Sequence, residues 1–138
     1  MKLLTTEAQR QRENAESKDL RTNPIIGAAI EVHRHLGPGL LESAYEECLC
    51  HELHLREIEF RRQVELPVSY KGLKPDCGYK IDLVVRNEVV LELKSVDHIL
   101  PIYKAQLLTH MKLTGKNVGL LINFNVSLLT RGIVRMVL

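Results

Sequence analysis

Ile81-Asp82-Leu83-Val84-Val85-Arg86-Asn87-Glu88-Val89-Val90-Leu91-Glu92-Leu93-Lys94 holds two alternating runs on either side of a short polar break. In the first run Ile81, Leu83 and Val85 share one face, and Asp82 shares the other with Lys80 and Val84. In the second, Val89, Leu91 and Leu93 share a face, while Glu92 and Lys94 point the opposite way. Each strand therefore carries its charges on one side. A hairpin loop with an odd number of residues, such as Arg86-Asn87-Glu88, sets Asp82 directly across from Glu92, about 5 Å away. A two-residue loop sets Asp82 opposite Leu91 and scatters the cluster, so the site depends on one register.

Two carboxylates at that separation in a mostly apolar setting cannot both ionise cheaply, and a divalent cation resolves the conflict. Hard oxygen ligands suit magnesium or manganese, ions that activate water and neutralise a phosphoryl oxygen. Lys94, two residues beyond Glu92 on the same face, is placed to orient that water or to stabilise charge developing on phosphorus.

Working outward, the pattern places two helices before the hairpin and one after it. Ile25, Ile26, Ala29, Ile30 and His33 recur at helical spacing from Pro24 until Gly37-Pro38-Gly39 stops them. A second helix runs from about Leu40 to Arg56, with Leu41, Tyr45, Cys48, Leu49, Leu53 and Leu55 as its apolar arc. Glu42 falls on the flank of that arc, where an acid should have a partner or a task, whereas Glu46, Glu47 and Glu57 turn towards water. Val64 to Val68 reads as a first strand, with turns at Lys71-Gly72 and Arg86-Asn87. Pro101 opens a third helix that Gly115 closes. Asn117 to Phe124 reads as a buried strand and Gly132 to Leu138 as a final one. The order α-α-β-β-β-α-β-β predicts an α/β fold, one mixed sheet with helices on its faces.

The whole chain has 138 residues, 45% hydrophobic and 26% charged, which is the size of one ordinary domain and excludes a disordered or collagen-like polymer. Residues 1–22 are nearly all polar and read as a frayed or helical arm, leaving 23–138 as the domain. Nineteen Lys and Arg against seventeen Asp and Glu give a net charge of +2, too balanced for indiscriminate attraction to polyanions. A nucleic-acid partner therefore has to be argued from a site. No apolar run approaches the roughly 20 residues of a membrane span, and Met1 to Arg21 lacks the apolar core of a secretory signal, so a cytosolic protein is expected. Cys48, Cys50 and Cys77 are an odd set without a C-x-x-C, poor material for disulfides or a zinc ribbon.

Asp82 followed by Glu92-Leu93-Lys94, behind a helix bearing Glu42 and ahead of one bearing Gln106, resembles the PD-(D/E)XK, or restriction-endonuclease-like, nuclease superfamily. Gly39-Leu40-Leu41-Glu42-Ser43-Ala44-Tyr45 matches the Gly-x-x-Glu-x-x-Tyr signature of a small bacterial branch named GxxExxY after it. The resemblance extends to Ala105-Gln106-Leu107-Leu108 and to Gly119 through Phe124. It implies a single nuclease domain in which Asp82 and Glu92 bind Mg2+ or Mn2+, helped by the Leu93 carbonyl, and Lys94 is the catalytic lysine. Glu42 resembles a helix-borne acid that some branches add to the metal site. Gln106 resembles the glutamine of a Gln-x-x-x-Tyr motif, which orients the lysine or meets the phosphate backbone. The chain departs there, with His110 in place of the tyrosine, so His110 is left to meet a phosphate and a stacking Tyr is lost. The literal Pro75-Asp76 is a decoy: Asp76 lies about 20 Å along an extended strand from Asp82.

The expected activity is hydrolysis of a nucleic-acid phosphodiester, DNA by preference, leaving a 5′-phosphate as the resemblance implies. The competing readings are a binding or scaffold protein that keeps the fold with little catalysis, and a subunit that depends on a partner or a second copy. Each residue also has a plainer reading. Asp82, Glu92 and Lys94 can form a structural ion-pair network, Glu42 can pair with a nearby base, Gln106 is common in helices, and Tyr45 serves the core as readily as a substrate. His33, His35, His51 and His54 lack the thiol or acid that would complete a zinc set and read as a solvated face. Cys48 reads as core and Cys50 as surface. Arg61-Arg62, Lys71, Lys74 and Lys80 read as a basic rim near the site.

Overall fold

The computed structural model describes residues 7–138 except Cys77, with side chains described from Leu20 onward. The elements are α1 (Glu7–Leu36), α2 (Glu42–Leu55), β1 (Phe60–Glu65), β2 (Lys80–Val85), β3 (Val89–Lys94), α3 (Pro101–Thr114), β4 (Val118–Asn123), a short 3-10 turn (Leu129–Gly132) and β5 (Ile133–Val137). This is the expected α-α-β-β-β-α-β-β order. The strands lie side by side in sequence order, antiparallel except where β3 and β4 run parallel around α3.

The hairpin adopts the odd-loop register. Val85 faces Val89, Val84 faces Val90 and Leu83 faces Leu91, so Arg86-Asn87-Glu88 is the loop. Arg86 and Asn87 both take positive φ, 53° and 55°, which matches the strand twist. One face of the sheet, with Leu83, Val85, Leu91, Leu93, Leu120 and Ile122, packs on Ile25, Ala28 and Ala29 of α1 and on Tyr45, Leu49 and Leu53 of α2. The other face, with Val84, Val90 and Leu121, packs on Leu107 and Met111 of α3. β4, as the interior parallel strand, is buried along its whole length. A Cβ at Gly119 would stand 2.6 Å from Met111 Sδ and 2.9 Å from Leu107 Cδ1, so glycine is what lets α3 lie this close to the sheet.

Several boundaries differ from the sequence reading. α1 begins at Glu7 and runs through Pro24, so no break in secondary structure falls between residues 22 and 23. A proline removes one helical hydrogen bond, but the burial of Ile25, Ala28, Ala29 and Val32 just beyond it outweighs that loss. β1 begins at Phe60, earlier than the alternation starting at Val64, because Arg61 and Arg62 pair through their backbones with Val84 and Leu83 while their exposed side chains, on opposite faces of the sheet, reach Asn87 and the α2 acids. The described residues of 66–79 then leave the sheet as an arm whose tip is the Tyr70↔Leu73 bridge around Lys71 and Gly72.

Helix α2 is also rotated from the expected arc. Tyr45, Glu46, Leu49, Cys50 and Leu53 face inward, whereas Leu41 and Leu55 are exposed. Cys50 is thus the buried cysteine and Cys48 the half-buried one, the reverse of the expectation, and both are free. Burial pushes the Cys50 thiol up to about 11. Cys77 lies outside the described residues. Among the histidines, His33 is not on a solvated face but buried, its Nε2 2.7 Å from the Val126 carbonyl.

Candidate active site

Past the Leu83↔Leu91 pair, the β2–β3 ladder gives way. The Leu93 N–H, which a continued ladder would direct at the β2 backbone, donates instead to Asp82 Oδ2 at 2.7 Å. An acid inserted between two strands holds them apart and opens a cleft of about 570 Å³ against α3. Its lining includes Glu42, Asp82, Glu92, Lys94, Gln106 and His110, six of the eight residues singled out in the sequence. Leu93 takes part through its backbone, its side chain being buried on the opposite face.

The electrostatics are those of crowded acid. Burial, together with Glu92, Glu46 and Glu42 nearby, pushes the Asp82 carboxyl up to about 7, against the opposing pull of the Leu93 N–H. Glu92 is buried and hydrogen-bonds through Oε1 to His110 Nδ1. His110 is thus engaged with an acid, a different contact from the phosphate expected for it. Lys94 sends its Nζ over the ring of Tyr103, 4.6 Å from the centroid. A tyrosine ring thus stands beside Lys94 from Tyr103, three residues before Gln106, while position 110 carries His. Nothing in the local spacing identifies that contact, because it exists only once α3 docks on β3.

Glu46 was missed by the sequence. It is nearly buried, with Oε2 accepting from Arg62 Nε at 2.9 Å and Oε1 from Gln63 Nε2 at 2.7 Å. The same Arg62 reaches Glu47 at 2.9 Å, which takes it out of the expected basic rim. The inward acid of α2 is therefore Glu46, and Glu42 is exposed at the helix start, facing the cleft. Asn123, at the end of β4, was also unforeseen. It accepts from Val96 N–H at 3.0 Å and donates to the Val96 carbonyl at 2.9 Å, clamping the segment that follows Lys94.

Tyr45 is not among the residues lining the cleft. It is fully buried, stacked on Phe124 with centroids 4.5 Å apart, and its hydroxyl donates to the Gly37 carbonyl at 2.6 Å while accepting from Leu40 N–H. Its place in the signature has a structural reason: it ties the 37–40 loop to the start of α2. Ser95 Oγ reaches the Leu40 carbonyl at 2.5 Å and joins that loop to the end of β3.

Among the described residues, no three His, Cys, Asp or Glu side chains are gathered as a ready-made ligand set. The donor chemistry nonetheless fits a hard divalent cation. Asp82 and Glu92 offer oxygen, and an Asp82 carboxyl pushed up first by burial and then by the neighbouring acids marks a site where ionising both carboxylates is costly and a cation would offset that cost.

The sequence pattern of the PD-(D/E)XK nuclease superfamily matches residues 19–136. No curated protein and no solved structure matches the chain. Among the described residues, no helix is long and apolar enough to cross a membrane.

Proposed function

From its membership of the PD-(D/E)XK nuclease superfamily, we propose that this chain is a metal-dependent phosphodiesterase acting on nucleic acid, DNA by preference, in the cytosol. The Gly39 to Tyr45 signature supports placing it in the GxxExxY branch. The observation that carries the reading is the convergence of Asp82, Glu92 and Lys94 in one cleft where the strands part.

In this reading Asp82 and Glu92 hold Mg2+ or Mn2+, with Glu42 at the rim as a further acid. The Leu93 carbonyl lies on the same strand edge as its N–H, and so towards Asp82. The bound ion supplies water activation and neutralises phosphoryl charge. Lys94, held over Tyr103 with no carboxylate partner among the described residues, is left to orient the attacking water and offset charge on the phosphoryl oxygens. His110 fixes the rotamer of Glu92 through one oxygen and leaves the other for the ion. Gln106, exposed in the cleft, is placed to donate to the scissile phosphate or to the lysine.

A second reading, a nucleic-acid-binding protein with little catalysis or a partner-dependent subunit, is favoured by one observation: His110 already hydrogen-bonds the Glu92 carboxylate that would hold the ion. Incubating the protein with labelled single-stranded, duplex and branched DNA and with RNA, in Mg2+, Mn2+ or EDTA, separates the two. The nuclease reading expects cleavage with metal, none in EDTA, and loss in Lys94→Ala. Cleavage that persists in Lys94→Ala overturns the mechanism, and metal-independent binding without cleavage favours the second reading.

A further inference from the structure

The chain has only six aromatic rings, four Tyr and two Phe. Tyr45 and Phe124 are buried, and Phe60 and Tyr103 are partly covered. The two that are exposed, Tyr70 at 62% and Tyr79 at 63%, both belong to the 66–79 arm. The arm is one wall of the active cleft, to which it contributes Leu66, Val68 and Tyr79.

Its geometry suits presentation rather than packing. The root is closed by Leu66 N–H donating to the Tyr79 carbonyl at 3.0 Å. The tip is closed by Tyr70 and Leu73 exchanging backbone bonds of 2.7 and 2.8 Å, with Lys71 and Gly72 at φ 46° and 87° making the tight turn. Lys71 Nζ lies 5.3 Å from the Tyr70 ring centroid. From Leu66 to Lys80 the chain carries three lysines, Lys71, Lys74 and Lys80, against one acid, Asp76. Tyr79 stands three residues before Asp82, roughly 10 Å along the strand.

Exposed aromatic faces interleaved with lysines are the surface that grips an unpaired strand: rings stack on bases whatever their identity, and ammonium groups meet the phosphates. In a duplex the base faces are already stacked on one another, so these rings find no partner except at ends and frays. We infer that the 66–79 arm is a binding surface for single-stranded or locally unpaired nucleic acid, with Tyr79 and Tyr70 as stacking platforms that feed the strand to the cleft. This rests on the nuclease reading for what happens in the cleft, but not for the binding itself.

The test measures fluorescence anisotropy of labelled single strands and blunt duplexes with the full chain in EDTA, beside cleavage of the same oligonucleotides in Mg2+. Tyr79→Ala and Tyr70→Ala should each weaken single-strand binding roughly 5- to 100-fold, and duplex binding by less than twofold. Tyr79→Phe and Tyr70→Phe should bind as wild type does. Lys71→Ala and Lys74→Ala should weaken both ligands and flatten the salt dependence. Single-strand binding unchanged in the alanine variants, or equal losses on strand and duplex, overturns the inference even if cleavage is seen. Tyrosine-dependent strand binding without any cleavage supports the arm and sinks the nuclease reading instead. No binding of any nucleic acid overturns both.

Discussion

The two ends of the β2–β3 hairpin are built from the same strands and do different things. At the turn, Val85, Val84 and Leu83 meet Val89, Val90 and Leu91 in an unbroken ladder with apolar cover on both faces. Beyond Leu91 the ladder ends, and the Asp82 carboxylate takes the Leu93 N–H. The closed end borders the larger hollow, about 870 Å³ lined by Phe60, Arg61, Arg86 and Asn87 among others, yet that hollow brings no acid pair together with a lysine. The larger volume and the gathering of acids with a lysine therefore fall at different ends of the hairpin. What distinguishes the open end is that one side chain has replaced a backbone acceptor, which both parts the strands and stores charge in the gap.

The sharpest test of that contrast is to neutralise each end. Glu92→Gln keeps the shape and a partner for His110 but removes a charge from the cleft, and should lower single-turnover cleavage by roughly 10³-fold while leaving the urea midpoint near that of wild type. Equal losses of activity and stability would mean that Glu92 serves the fold. Leu91→Ala, on the zipped side, should do the reverse: about 3 kcal/mol of stability lost in urea unfolding, with chemistry retained in the fraction that stays folded.

A smaller effect separates the ends by pH. The Asp82 carboxyl sits at about 7 in the folded protein and near 4 when unfolded. Below pH 4 it is protonated in both states and costs nothing, and above pH 7 it is ionised in both, so the folded state bears the full cost. Its contribution therefore erodes stability as pH rises from about 4 to 7. In metal-free buffer, Asp82→Asn should gain about 2 kcal/mol over wild type at pH 8 relative to pH 4, and Mg2+ should shrink the difference by stabilising wild type. A pH-independent difference would place Asp82 in ordinary solvent. The smallest effect is expected of Tyr103: Tyr103→Leu should cost about threefold to tenfold in kcat with KM little changed, and Tyr103→Phe almost nothing. A tyrosine that matters only through its hydroxyl would reverse that order.

The hairpin was legible because its information is local: alternation sets the faces, and a three-residue break sets the register. The same holds for α3, which Pro101 opens and Gly115, at φ 67°, closes. What stayed hidden depends on docking. A rotation of α2 about its axis by roughly a quarter turn carries the inward arc from the Cys48 side to the side of Glu46 and Cys50, and the partners that settle the matter for Glu46, Arg62 and Gln63, come from another element. Tyr103 and Lys94 meet across two elements, as do Tyr45 and Phe124. The start of α1 was hidden for a different reason: Pro24 sits inside the helix, a local breaker outweighed by burial of the residues after it.

The missing side chain at Gly119 has a mechanical consequence. With Met111 and Leu107 seated where a Cβ would be, α3 has no clearance to rock on β4, so the wall that bears Tyr103, Gln106 and His110 is a fixed jaw. The facing wall is the 66–79 arm, closed at its root by the Leu66–Tyr79 backbone bond and at its tip by a turn. In the proposed binding mode the cleft is a vise with one jaw anchored, and the adjustment that a bound strand demands falls to the other.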